Sequence, residues 1–257
     1  MPATEILRPA GHGKIDLAVR WSAKQQDGLY LHSRYGILRL SPVGSAIIRV
    51  TFAKGGQIAD CFHPGIAVRR TERTWMYKES ASTVDLMTDE LLVQTDKTTG
   101  AIRFMTRDKK LLFAERSKEC RQLEAAPNGR MKVWLYPEWQ KQETVYAMGA
   151  GETKGMNIRK TARYISHRGQ TTADLPCGAA PDQDAQDSAS SASLPFLLSE
   201  NGYGIILAAE GPVVSCDLPT YGTYLYAENE LQMDYYFIAG KRPNTILNAC
   251  AYLCGKF

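Results

Sequence analysis

The strongest constraint on the fold is a missing periodicity. Before Pro243, no stretch combines apolar residues at helical spacing with the start and stop signals of a helix. Parallel strands need long crossovers, usually helical, so this pattern restricts the chain to antiparallel pairing. It offers short β-type runs punctuated by turns: Gly36–Ser41, Ala46–Phe52, Leu91–Thr95, Ala101–Met105, Leu194–Leu198, Tyr203–Leu207 and Met233–Ile238. Near-alternation of apolar and polar residues in several of them predicts sheets with one buried and one wet face. Lys97–Gly100 and Asp108–Lys110 separate runs as hairpin turns, and Gly100 can take a positive φ there. The pattern switches at Pro243, which suits a first helical turn. Ile246, Leu247, Cys250, Leu253 and Cys254 then recur at helical spacing, and Gly255 is a fitting terminator.

Composition narrows the function classes. A hydrophobic fraction of 44%, with 13 Tyr, 7 Phe and 4 Trp, specifies a folded globule. Lys and Arg exceed Asp and Glu by only 31 to 27, without a dense basic window, so nucleic acid is not an expected partner. No run approaches the ~20 apolar residues that span a bilayer, and the opening MPATEILRPAGHGKIDLAVRW lacks a signal-peptide core. The expectation is a cytoplasmic protein with no membrane partner. Six scattered cysteines, Cys61, Cys120, Cys177, Cys216, Cys250 and Cys254, form no CxxC pair and suit reduced, mostly buried thiols. Cys250 and Cys254 share a helical face as half of a metal site would, but no His or Cys pair stands near, and core packing is the preferred reading. No metal and no cofactor is expected. Residues 166–193 are rich in Gly, Pro, Ser, Asp and Ala and read as a long polar loop, either a binding loop or a mobile insertion.

Motifs that would carry chemistry fail their structural requirements. Gly149–Gly155 has the glycines of a dinucleotide loop, but a polar stretch follows where a helix must begin. Glu143 and Glu152 bracket that segment as a glycosidase carboxylate pair would, yet the intervening glycines make their separation unreadable, and turn, cap or ion-pair roles are preferred. His12, His32, His63 and His167 show no metal-binding spacing, and no GxSxG elbow is present.

Several segments, in order, resemble the N-terminal domain of glycoside hydrolase family 31, the α-glucosidases and α-xylosidases. Glu143–Glu152 is similar to the family's E-x-x-Y-G-L-G-E stretch. Leu194–Ser199 and Gly202–Leu207 are similar to its I-P-F-x-x-S and G-Y-G-I-F pair, and Asp234–Gly240 to its D-Y-Y-F-I-x-G. Thr95–Phe104 followed by Leu111-Leu112 resembles its hairpin, and Ile246–Gly255 its helix at the entry to the barrel.

The resemblance implies a galactose-mutarotase-like antiparallel β-sandwich with a short C-terminal helix. Residues 1–240 would form the sandwich domain and 241–257 a connector toward a (β/α)8 barrel that is not in this chain. It also implies a retaining α-glycosidase whose catalytic aspartates lie in that barrel, so no catalytic residue is assigned here. The family's domain lends a loop to the barrel mouth. The matching segment is 166–193, where His167, Arg168 and Asp174 are the expected sugar-facing residues, although Arg163–Arg168 departs from the family's N-x-D element. The implied partners are the barrel, an α-glucoside or α-xyloside, and a second copy of the chain through the barrel-facing surface. Two rival readings stand beside this one. A free-standing carbohydrate-binding module would use an exposed Trp75, Trp134 or Trp139, and an aldose 1-epimerase would need a paired His and Glu.

Overall fold

A computed structural model describes residues 15–59, 61, 63, 65–68, 74–148, 155–166 and 194–255. In chain order the strands are β1 (Trp21–Gln25), β2 (Gly28–His32), β3 (Gly36–Gly44), β4 (Ile47–Lys54), β5 (Met76–Glu79), β6 (Thr83–Met87), β7 (Leu91–Asp96), β8 (Ile102–Thr106), β9 (Leu111–Ala114), β10 (Arg121–Ala125) and β11 (Met131–Leu135). They continue as β12 (Val145–Ala147), β13 (Met156–Asn157), β14 (Ala162–Ser166), β15 (Phe196–Ser199), β16 (Tyr203–Leu207), β17 (Val213–Leu218), β18 (Gly222–Glu230) and β19 (Met233–Ala239), and the helix α1 (Pro243–Leu253) follows.

The strands form three antiparallel sheets: nine strands in the order β1-β2-β3-β4-β19-β16-β15-β12-β13, five as β10-β11-β18-β17-β14, and the meander β5-β6-β7-β8-β9. One core joins all three. Val50 and Phe52 of β4 and Tyr235 and Phe237 of β19 face Val93 and Phe104 of the meander and Val133 and Leu225 of the other small sheet. Phe237 stacks on Phe104 with centroids 4.1 Å apart, and Tyr203 lies 5.5 Å from Phe113. This is a β-sandwich, a large sheet against two small ones.

The predicted hairpins form as the turn chemistry requires. Asp96 Oδ1 accepts hydrogen bonds from the Thr98 and Thr99 amides at 2.9 and 2.8 Å, closing the turn before Gly100. Gly100 has φ +73°, and a Cβ there would stand 2.5 Å from the Leu17 carbonyl oxygen.

The expected wet face does not hold for the large sheet. In β3 and β4 nearly every residue is buried on both sides, including Arg39, Ser41, Arg49 and Thr51. The reason is a second layer on the outer face. There Ile47, Phe196, Leu198, Ile206, Tyr236 and Ile238 pack with Ile246 and Leu253 of α1 and with Ile66 from the chain after β4. Gly204 and Gly240 admit the helix, since a Cβ on either would lie 2.6–2.7 Å from Ile246 side-chain carbons. The Ala67 amide donates to the Leu253 carbonyl at 2.8 Å. Cys250 and Cys254 pack, partly buried, against this layer, which is the core role expected of them. Among the described residues, no helix is long and apolar enough to cross a membrane.

Candidate functional site

Four of the five segments from residue 143 onward that carry the family resemblance contribute neighbouring strands, the fifth being α1. β12 pairs with β15, β15 with β16, and β16 with β19, so Glu143–Ala147, Leu194–Ser199, Gly202–Leu207 and Asp234–Gly240 supply four of the nine strands of the large sheet. Glu143 ties three of them. Its carboxylate, buried before β12, accepts hydrogen bonds from Ser199 Oγ at 2.7 Å, from the Tyr203 hydroxyl and from the Gln140 amide at 2.8 Å. Every partner is a fixed donor inside the fold. Glu143 therefore acts as a clamp and not as one of two catalytic carboxylates. Glu152, its imagined counterpart, lies outside the described residues.

Beside this clamp, Arg159 donates to the Glu143 backbone carbonyl at 2.7 Å and to Asp217 Oδ2 at 2.8 Å, with its guanidinium 5.2 Å over the Trp139 ring. Burial would raise the Asp217 carboxyl, but hydrogen bonds from the Lys160 amide, Arg159 and Thr223 hold it below its ordinary value. These bonds lock the β13–β14 turn onto β17.

A titratable group stands beside a cavity of about 20 Å³ lined by Val133, Leu135, Leu207, Val213, Leu225 and Glu230, which admits a water and not a sugar ring. Glu230 Oε1 accepts from the Glu210 and Gly211 amides at 2.9 and 3.1 Å. Burial pushes the Glu230 carboxyl up from 4.5 to about 7 against those two bonds. Folded Glu230 thus binds its proton more tightly than the unfolded chain does. Its contribution to stability is present below pH 4.5 and lost as pH rises through 7. Glu230→Gln keeps a carbonyl acceptor for the two amides and removes the titration. Urea unfolding should show wild-type stability falling by about 2–3 kcal/mol from pH 4 to pH 8 relative to the variant. Parallel pH curves would refute the assignment.

The sugar-facing residues expected from sequence, His167, Arg168 and Asp174, all lie outside the described residues. Of the tryptophans considered as a stacking platform, Trp75 and Trp134 are buried, at 6% and 4% exposure, and Trp139 is half-covered. Core packing claims the first two, because an indole is worth more inside a sandwich than on it. The exposed indole is Trp21, at 53%. Among the described residues, no group of three or more His, Cys, Asp or Glu is placed to hold a metal ion.

No protein-family model matches the chain, and no curated protein matches it. Solved structures do. A GH31 dextranase of Flavobacterium johnsoniae superposes with a TM-score of 0.72 at 17% identity, covering 94% of this chain and 28% of its own. The fold is one carried within GH31 enzymes. A GH31 α-xylosidase from a soil metagenome gives 0.67 at 16% identity, over 88% of this chain and 33% of the enzyme. The cycloalternan-forming enzyme of Listeria monocytogenes gives 0.70 at 16%, over 92% and 22%. The chain thus spans a third or less of the length of these three enzymes, in the range 22–33%. That dextranase was captured with isomaltotriose, the xylosidase with xylose and the Listeria enzyme with a pentasaccharide substrate.

Proposed function

We propose that this chain is a non-catalytic domain of a retaining α-glycosidase of family 31, acting on α-glucosidic or α-xylosidic bonds. Residues 1–240 form the sandwich domain and 241–257 lead toward a (β/α)8 barrel, on which the domain packs. The segment 166–193, with His167, Arg168 and Asp174, completes the rim of the substrate pocket, and the protein works in the cytoplasm. The observation that carries this reading is the asymmetry of coverage: 94% of the chain superposes on only 28% of a GH31 dextranase. The locked environment of Glu143 adds support, since it removes from catalysis a carboxylate that the sequence offered for a glycosidase pair. In the whole enzyme one carboxylate of the barrel attacks the anomeric carbon and another protonates the leaving oxygen.

The test compares aryl α-glucoside and α-xyloside hydrolysis by this chain alone with hydrolysis by the longest polypeptide encoded around it. No turnover by the chain and turnover by the longer protein is the expected result. Turnover by the 257-residue chain alone would overturn the proposal.

A further inference from the structure

Trp21 opens β1, an edge strand of the large sheet, and pairs across the ladder with His32 of β2. The indole lies flat on the imidazole, with centroids 3.4 Å apart and planes 12° from parallel. Burial holds the His32 ring below its ordinary pKa, so the indole rests on a neutral support. A stacked ring that is still 53% exposed presents a rigid apolar face to solvent and loses little rotamer freedom when something covers it.

Side chains two residues apart on a strand share a face, so Trp21 and Ala23 point to the same side as their partners His32 and Tyr30. Tyr30 is thereby the diagonal neighbour of Trp21, within reach of one bound ring. In the next strand Tyr30 pairs with Arg39. The Tyr30 hydroxyl donates to Asp27 Oδ2 at 2.8 Å, and Arg39 Nη1 donates to the same oxygen at 2.9 Å. One carboxylate oxygen is thus held in place, while Oδ1 accepts no hydrogen bond among the described residues and the Asp27 side chain stays 46% exposed. The Asp27 and Arg39 charges cancel, so the site favours neither an anion nor a cation.

We infer that this corner of the outer face is a surface binding site for a neutral oligosaccharide. A pyranose ring has an apolar face of C–H bonds and a rim of hydroxyl donors. The Trp21 indole matches the first, and an oriented, accessible Asp27 oxygen beside the Tyr30 hydroxyl matches the second. The site draws on residues of β1 to β3 and the β1–β2 turn alone, so it does not depend on the accessory-domain reading.

The test is titration of the chain with maltotriose and isomaltotriose, followed calorimetrically and by the Trp21 indole N–H resonance. A proline-rich peptide, the other ligand class that stacks on indoles, is run in parallel. Either trisaccharide should bind and shift the Trp21 resonance. Trp21→Ala should weaken binding about tenfold or more, a loss on the scale of one ring stack, and Asp27→Asn should weaken it severalfold. The wild-type resonance shift keeps the test valid even if a variant folds poorly. No binding of either sugar up to about 10 mM would overturn the site. Undiminished binding by Trp21→Ala, or a Trp21 shift with the peptide alone, would also overturn it.

Discussion

Removing either member of the ion pair at the centre of the sandwich is expected to cost about 3–5 kcal/mol, a large part of the stability of a domain this size. Glu115, just after β9, and Arg121, opening β10, are 1% exposed and bonded to each other inside the core. The Glu115 carboxylate also accepts from the Ile102 amide at 2.9 Å and the Tyr235 hydroxyl at 3.0 Å, and Arg121 donates to the Gly100 carbonyl. The pair therefore stitches both five-stranded sheets to β19 of the large one. Burial pushes the Glu115 carboxyl up, against the Arg121 guanidinium and these bonds, which favour its charged form. Glu115→Ala strands a buried guanidinium, and Arg121→Met strands a buried carboxylate. The combined Glu115→Leu, Arg121→Met replacement leaves no stranded charge, so its loss should be smaller than the sum of the single losses by about 2 kcal/mol or more. Denaturant unfolding of the three variants decides the matter, and single losses below about 1 kcal/mol would show that the pair does not hold the sheets together.

That pair was not legible in the sequence, and the reason is general. Periodicity reports which residues want burial, and it found β16 at its observed ends, both hairpin turns and α1. It does not report which charges will be buried together. Arg121 sits in a strand, RQLEA, whose side chains read as a solvated edge until Glu115 supplies the partner. β17 and β18 escaped for a related reason: VVSCDL and GTYLYAENE mix polar and aromatic residues, and their burial follows from pairing with each other and with β11 and β14. The mistaken wet face has the same origin. Arg39, Arg49 and Thr51 look solvent-facing by alternation, and only the packing of α1 and the chain after β4 covers much of that face. Arg49 then needs the buried Asp234, whose two oxygens accept from its Nε at 2.9 and 3.1 Å. The proposed sugar site was illegible too. Trp21 stands in a segment without strong alternation, and its exposure depends on an edge position that no local pattern encodes.

Glu143→Ala should lower stability by about 4 kcal/mol, because three donors lose a charged acceptor at once and two of the donor side chains, Ser199 and Tyr203, are themselves buried. The Tyr203 ring belongs to the central stack, 5.6 Å from Phe237 and 5.5 Å from Phe113, so its hydroxyl cannot swing out to water without disturbing that packing. Glu143→Gln is the sharper variant. Its carbonyl still accepts from Ser199 and Tyr203, but its amide nitrogen meets the Gln140 amide, donor against donor, so a smaller loss of about 1–3 kcal/mol is expected. The same variant separates the two roles this residue was considered for. A catalytic carboxylate replaced by an amide would abolish turnover of the longer enzyme while leaving its melting temperature nearly unchanged. A clamp replaced by an amide would lower the melting temperature and leave kcat of the folded fraction intact. The geometry around Glu143, with every oxygen turned inward to fixed donors, requires the second result.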